Sequence, residues 1–575
     1  MSEHDPSEAP WWTRAVVYQI WPRSFSDSDG DGIGDLRGVV DRLDHLELLG
    51  VDVLWLSPIY RSPQDDAGYD ISDYRSVDPV FGTLEDLDAL LAAAHARGMR
   101  VVMDLVVNHT SDEHAWFEAS RSSRDAPQRD WYWWRPPREG HVGGEPGAEP
   151  TNWGSAFSGS AWAWDEASGE YYLHLFSRKQ PDLNWENPEV RAAVHEMMRW
   201  WLDRGVDGFR MDVINLISKT LPLEDAPVPD GATLGDAFGA VASGPRIHEF
   251  LAEMTREVFG GRDGAFLTVG EMPGVTTADA VLFTDPARRE VDMVFQFEHV
   301  DLDHGPGGKW DPVPLPPTAL RDSLSRWQLA LADRGWNSLY WDNHDQPRAV
   351  SRFGDDGEHR VVSAKALATL LHLHRGTPYV YQGEELGMTN APLADASELR
   401  DIESLNHLRE QVAAGRDEAE VLASMRPTAR DNARTPVQWD DGPYAGFTTG
   451  VPWTDVNPNA ATINAAAATA DPDSVLHHYR RLVALRHDDP VVALGDFALV
   501  PSDDRVYAFT RALDDVELLV VVNLSGADVA APETSSGWTG AELVLGVRPD
   551  GAVPVPGERL APWESQVWRR TRPRP

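Results

Sequence analysis

Short apolar runs that end abruptly in polar residues recur along this chain, and most are followed by a stretch with helical spacing. The runs are Ala15–Ile20, Val51–Leu56, Arg100–Val107, the segment Gly208-Phe209-Arg210-Met211-Asp212, Ala265–Gly270, Val291–Phe297, Asn337–Trp341 and Thr377–Tyr381. Helical spacing follows over Leu36–Leu49, stopped by Gly50, and over Leu84–Ala96, stopped by Gly98. Near-continuous apolar strands mark a parallel sheet buried on both faces, and alternation with helices supplies the cover. Eight such strands in one chain predict an α/β fold, a closed (β/α)8 TIM barrel.

The alternation is interrupted twice. Residues 110–176 are rich in Trp, Gly, Pro and Ser around Trp131-Tyr132-Trp133-Trp134, and read as a small inserted domain after strand three. Its aromatics have two uses open to them, stacking on a ligand or building the insert's own core. The barrel then resumes over 177–488, with an excursion at about 386–470, while 489–575 shows short alternating strands of an antiparallel β-sandwich. Residues 1–109 carry the first part of the barrel. Leu221–Gly244, rich in Pro, Ala, Asp and Gly, reads as a long surface loop.

Composition narrows the partners. Lys and Arg total 51 against 92 Asp and Glu, a formal charge of −41, which repels nucleic acid and anionic membranes. No run approaches the roughly 18–20 uncharged apolar residues of a membrane span. Met1–Pro10 is polar and acidic, unlike a secretory signal, and cysteine is absent, so a cytoplasmic protein is expected. A neutral small molecule is the compatible ligand, and the expected state is a monomer or weak homo-oligomer.

In a barrel all strand ends converge on one face, and that face holds the active site. Asp212, Glu271 and Asp345 each stand immediately after a strand. Arg210 and Asp212 are two apart and share a strand face. A fixed cation beside Asp212 favours its anion, although a purely structural ion pair is the competing reading. Glu271 follows Val269-Gly270 with no cation nearby in sequence and suits a proton donor. Glycosidic-bond cleavage needs that division between two carboxyls. His109 and His344, also at strand ends, can reach a ligand's hydroxyls. Separately, Asp27, Asp29, Asp31 and Asp35 alternate with Ser and Gly, so a hard cation such as Ca²⁺ is expected there, with the Ile33 carbonyl as a further oxygen. A solvated acidic turn is the alternative.

These motifs, Asp104 to His109, Gly208 to Asn215, Glu271 and Trp341 to Asp345, resemble glycoside hydrolase family 13, the α-amylase family, in the family's order. Gln180-Pro181-Asp182-Leu183-Asn184, Gly270 to Val275 and Arg430 to Pro436 resemble its oligo-1,6-glucosidase and α-glucosidase subgroup. The resemblance implies a retaining, exo-acting α-glucosidase that needs no organic cofactor. It assigns Asp212 as nucleophile, Glu271 as acid and base, and Asp345 as the group holding ring hydroxyls. It implies that Arg210, His109 and His344 line the glucose subsite, that Tyr69 is a stacking platform, and that Asp66 and Arg434 grip the far hydroxyls. Phe176 and Gln180 match positions near the scissile bond, and Asp27 to Asp35 the subgroup's Ca²⁺ loop. Val213, after the nucleophile, resembles α-1,6-specific members. Ala67 stands where Asn is common.

Four other readings share these motifs. They are an α-1,4-acting maltase, a hydrolase of phosphorylated trehalose, a transglucosylase of the sucrose isomerase type, and a non-catalytic sugar-binding scaffold. The phosphate reading needs a cationic grip, for which Arg178-Lys179 is the candidate.

Overall fold

The barrel's eight strands are β1 Val17–Ile20, β2 Val53–Leu56, β3 Arg100–Val106, β4 Gly208–Asp212, β5 Leu267–Glu271, β6 Met293–Phe295, β7 Ser338–Leu339 and β8 Thr377–Tyr381. They come from a computed structural model that describes residues 9–572; of the acidic N-terminal stretch, positions 1–8 lie outside it. The strands pair in parallel in the order β6-β5-β4-β3-β2-β1-β8-β7. A parallel bridge between Val294 and Asn337 joins the two ends and closes the cylinder. Among the described residues no helix is long and apolar enough to cross a membrane.

Strands β6 and β7 are shorter than the apolar runs that predict them. Past Leu339 the backbone leaves the ladder, and side-chain contacts replace it. The Tyr340 carbonyl meets His299 Nε2 at 2.8 Å, and the Trp341 indole donates to the Leu367 carbonyl at 2.9 Å. The run Leu36–Leu49 forms two helices, Leu36–Asp41 and Leu43–Leu49, broken at Arg42, whose guanidinium reaches the Trp439 ring and the Gly446 carbonyl. Leu84–Ala96 is one helix as its spacing predicts, opened by a reciprocal cap between Thr83 and Asp86.

The insert is a three-stranded antiparallel sheet, with Glu170–Leu173 between Trp134–Arg135 and Trp162–Asp165. Its aromatics divide between two cores: Trp133, Trp153, Trp162 and Tyr171 are buried together in the insert, while Phe117, Tyr132, Trp134 and Tyr172 join the barrel's core. The stretch 221–244 is largely the surface loop its composition predicts, with one short helix at Phe238–Val241. It does not wave free on the surface but docks on the insert. Trp153 Nε1 donates to the Glu224 carbonyl at 2.8 Å, Asn152 Nδ2 to the Ala226 carbonyl at 2.8 Å, and Ala237 and Val241 join the insert's core. Polar composition concealed this because the contacts are mostly to backbone.

The C-terminal unit contains a five-stranded antiparallel sheet, Asp496–Leu499, Val506–Leu513, Val516–Asn523, Ser565–Thr571 and Glu542–Val547 in spatial order. Alternation divides its side chains. Tyr507, Phe509, Val520 and Val567 merge with the barrel's core, while Val506, Ala508, Val521 and Trp568 face outward and are covered by Val529, Trp538 and Leu560.

Strand register sets the height of each functional group. Asp104 on β3 and Val269 on β5 both lie level with Arg210 on β4, so Asp212 and Glu271 emerge one step higher, side by side. That register depends on Gly208, which has φ of +154°. A Cβ there would sit 2.0 Å from the Leu267 carbonyl oxygen, on the neighbouring backbone. Gly208→Ala is expected to part β4 from β5, costing at least the ~1–3 kcal/mol of overpacking and lowering the melting temperature. A variant that melts with the parent would show that the two strands do not need this contact.

Candidate active site

At the C-terminal mouth of the barrel, one guanidinium organises three carboxyls. Arg210, 1% exposed, donates from Nη1 to Asp104 Oδ1 and to Asp212 Oδ1, both at 2.8 Å, and its Nη2 lies 2.5 Å from Glu271 Oε1. Trp55 lies beside the guanidinium plane, its ring centre 5.0 Å away, and its indole donates to Asp104 Oδ2 at 3.0 Å. Tyr69 donates its hydroxyl to the same oxygen at 3.1 Å. Asp104 is thus a member of the site that strand position did not single out.

Two sequence-based expectations change here. Glu271 does have a cation beside it, because Arg210 reaches across from β4 to β5. Arg210 also does not leave Asp212 a simple low-pKa anion. Burial and the neighbouring Glu271 push the Asp212 carboxyl well above the ordinary range, outweighing the guanidinium. Burial likewise raises Asp104 to about 6 despite Arg210. One positive charge among three buried carboxyls cannot keep all three ionised, so the cluster holds a proton as a unit.

The backbone links the second carboxyl to the first. Val213, immediately after Asp212, has φ of 36° and ψ of 39°, a left-handed conformation rare for a β-branched residue. The turn aims the Val213 N–H at Glu271 Oε2, 3.0 Å away. Nothing in the sequence signals this strain.

Asp345 sits in the opposite electrostatic setting. Burial would raise it, but Arg430, His344 and Arg434 hold it well below the ordinary carboxylate range. Arg434 Nη2 is 3.0 Å from its Oδ1, Arg430 Nε 3.4 Å from the same atom, and His344 Nε2 3.4 Å from Oδ2. His344 is sandwiched between Trp21 and Tyr69, and Gln19 Nε2 contacts its Nδ1 at 2.8 Å. Burial lowers His344 to about 3 and His109 to about 4, so both rings are neutral at ordinary pH.

A cavity of about 510 Å³ opens above these groups. Asp66, Tyr69, His109, Phe176, Asp212, Val213, Glu271 and Asp345 line it. Gln180 lies one layer back and positions the wall, donating to Asp66 Oδ2 at 2.9 Å. His344 likewise acts from behind Tyr69. Arg434 is corrected. It does not face the cavity beside Asp66 but is tied behind Asp345, by Asp401 at 2.6 Å and the His344 carbonyl at 3.1 Å. Arg430, four residues earlier, is the guanidinium that lines the cavity. The sequence motif contains both arginines, and only the path of the loop separates them. The far wall comes from Leu234, Asp236, Phe238 and Val241 of the docked stretch, together with Phe157 and Phe297.

Of the acidic loop, Asp27, Asp29 and Asp35 converge, with carboxylate oxygens all within 4.8 Å of one another. Asp31 stays outside that group and accepts the Ile33 N–H at 2.8 Å, closing a local turn. The loop is clamped from the far end of the chain by Trp453 N–H to the Gly32 carbonyl at 2.9 Å and by Thr448 Oγ1 to Asp27 Oδ2.

The family model for the alpha amylase catalytic domain matches residues 19–495. An oligo-1,6-glucosidase of Parageobacillus thermoglucosidasius is 54% identical over 98% of this chain and 99% of its own. A trehalose-6-phosphate hydrolase of Bacillus subtilis (strain 168) is 48% identical over 98% and 99%. Among solved structures, the trehalose-6-phosphate hydrolase of Bacillus licheniformis superposes with a TM-score of 0.90 at 46% identity, covering 98% of this chain and 100% of that one. Matches of this identity run the full length of the barrel, the insert and the C-terminal sheet, and they agree with the carboxyl cluster at the strand ends. The chain belongs to glycoside hydrolase family 13, the α-amylase family.

Proposed function

We propose that the protein is a retaining, exo-acting α-glucosidase that removes terminal α-1,6-linked glucose from isomaltose-type oligosaccharides. The observation that carries this reading is the Arg210 fork, which spans Asp212 and Glu271. Two carboxyls bridged by one guanidinium fit the close spacing of about 5–5.5 Å used for double displacement, not the water-wide gap of inverting enzymes. In this reading Asp212 attacks the anomeric carbon as Glu271 protonates the departing oxygen, leaving a β-glucosyl ester on Asp212. Glu271 then takes a proton from water, which attacks the same carbon and frees Asp212. Asp345, held ionised by its arginines, grips ring hydroxyls. Asp66 and Arg430 close the blind end of the pocket, which admits a chain terminus.

Linkage preference rests on Val213, which lines the cavity next to Asp212 in the chain, and on the similarity to oligo-1,6-glucosidases. One such side chain is worth only about 1–3 kcal/mol of discrimination. A phosphorylated substrate is disfavoured by charge. Arg430 is the one arginine or lysine among the described residues that line the cavity, and Asp345 and Glu403 already engage it. Lys179 is committed to Asp112 at 2.6 Å and does not line the cavity. We propose Ca²⁺ for Asp27, Asp29 and Asp35, whose hard oxygen donors suit it, and a cytoplasmic setting, supported by the absence of cysteine.

Four measurements check this reading. Isomaltose is expected to give a higher kcat/KM than maltose, with trehalose 6-phosphate poorer than either; a maltose-first ranking rejects the linkage assignment. Asp212→Asn should lower kcat by about 10⁴-fold or more with the fold retained. Asp104→Asn removes an anion that raises Asp212, so the acid limb of the pH–rate profile should move to lower pH; an upward move would break the shared-proton account. For the acidic loop, Ca²⁺ at 100 times its dissociation constant should stabilise by about 2.7 kcal/mol. Chelation should lower the melting temperature of the parent and leave Asp29→Ala unmoved.

A further inference from the structure

Behind the active pocket, two buried carboxyls that the proposed chemistry does not use meet each other. Asp342 stands shortly past the end of β7, and Glu384 opens the 3-10 turn that follows β8. They are 3% and 6% exposed and are hydrogen-bonded side chain to side chain. Each has one oxygen served by a donor. Asp342 Oδ2 accepts the Ala349 N–H at 2.9 Å, and Glu384 Oε1 accepts the Tyr479 hydroxyl. The other two oxygens, Asp342 Oδ1 and Glu384 Oε2, have no donor among the described residues. Ionised carboxylates only accept, so two of them bond only through a hydrogen that one carboxyl carries itself.

The surroundings favour keeping that hydrogen. Val350, Ala364, Leu367 and Met388 line the small space beside the pair. The charged and titratable neighbours are committed elsewhere. Arg348 donates to the Gln382 and Ala433 carbonyls at 2.6 and 3.1 Å, and Arg360 to the Gly387 carbonyl at 2.9 Å. Glu385 accepts from the Tyr18 hydroxyl at 3.0 Å and contacts His45 at 2.9 Å. His372, lowered by burial to about 3 and therefore neutral, packs edge-on against the Tyr479 ring. Burial and the adjoining Asp342 push Glu384 well above the ordinary carboxylate range, and burial raises Asp342 as well.

What the pair holds is the loop that carries Asp345. Asp342 and Ala349 are seven residues apart, and their bond closes a span containing Asn343, His344, Asp345 and Arg348. Inside it, Asn343 Oδ1 accepts the Asp345 N–H at 2.8 Å. Asp342 is therefore tied on one side to this loop and on the other to the turn after β8. Through Tyr479 the tie continues to the helix Val475–Asp488.

We propose that Asp342 and Glu384 share one proton and form a latch that positions the loop bearing Asp345, with Glu384 as a positioning residue. When the shared proton leaves, two adjacent buried carboxylates repel and the loop loses its anchor. The proposal rests on the reading of Asp345 as the group that grips the sugar ring.

The test sets Glu384→Gln and Glu384→Ala beside the parent. A glutamine amide donates to Asp342 while its carbonyl accepts from Tyr479, so E384Q reproduces the protonated pair at every pH. It should turn over isomaltose at neutral pH as the parent does, with the alkaline limb of kcat moved to higher pH. E384A leaves the loop unanchored and should lower kcat about tenfold or more, as a misplaced contact group does. A carboxyl whose proton affinity rises on folding loses its stabilising effect as pH climbs through the folded value. The melting temperature of E384Q minus that of the parent should therefore widen between about pH 5 and about pH 9. Asp342→Asn supplies the donor from the other side and should give the same melting series, which guards against a folding defect peculiar to E384Q. The proposal is overturned by a flat melting series in both variants, by parental kcat in E384A, or by an E384Q that is less stable than the parent at neutral pH. The melting series needs no substrate, so a parent that fails to cleave isomaltose rejects the linkage reading, whereas a flat series rejects the pair.

Discussion

A single buried guanidinium bears on everything at the mouth of this barrel. Arg210 is taken out of water on a central strand, where an unpaired cation would be prohibitively costly. Three carboxyls from three strands answer it: Asp104 on β3, Asp212 on its own strand, and Glu271 on β5. The pairing is mutual, since none of the three acids would stay where it is without the cation. Parallel register does the placing. Because Arg210 lies level with Asp104 and Val269, its two amino groups fan upward to the next layer, where Asp212 and Glu271 end their strands. The Gly208–Leu267 contact at the base of β4 matters for the same reason, since a slip there would move the fork out of reach of one partner.

The same electrostatics explains why the site contains carboxyls with different tasks. Asp345 shares Arg430 and Arg434 with Asp401 and Glu403, two cations for three acids, and it remains an anion. The Arg210 cluster has one cation for three acids, so it must retain a proton. Ordinary carboxyls are pushed apart in proton affinity by counting the charges that face them. No histidine shares the task, because His109 and His344 are buried and neutral. They serve as rigid hydrogen-bonding walls, His344 clasped between two aromatic rings.

Much of this was legible in the chain. Apolar runs ending in acids located β4, β5 and β7 and the three carboxyls, because strand termini in a parallel barrel all open to one side. The insert followed from the break in alternation, although half of its buried aromatics turned out to join the barrel's core. What sequence missed lies in loops or across strands. Arg430 and Arg434 occupy one motif, and the path of the polypeptide alone decides which faces the cavity and which braces Asp345. The docking of 221–244 on the insert was not legible because several of its anchors are backbone carbonyls and amides, which leave no side-chain signature. Glu271 seemed free of cations because its partner is 61 residues earlier in the chain, next door only after folding.

Val213 joins these levels. A β-branched residue in the left-handed region costs on the order of 1–3 kcal/mol and persists only where its surroundings dictate it. Here β4 fixes the residue before it, and the short 3-10 turn Ile214–Leu216 fixes those after it. The turn directs the Val213 amide to Glu271, so that the carboxyl proposed as acid is held by the peptide that follows the carboxyl proposed as nucleophile. The two groups therefore cannot shift independently: any motion of Asp212's strand end is passed to Glu271 through one hydrogen bond and one guanidinium. The same turn presents the Val213 side chain to the pocket. A substitution there would alter the lining and the backbone strain together.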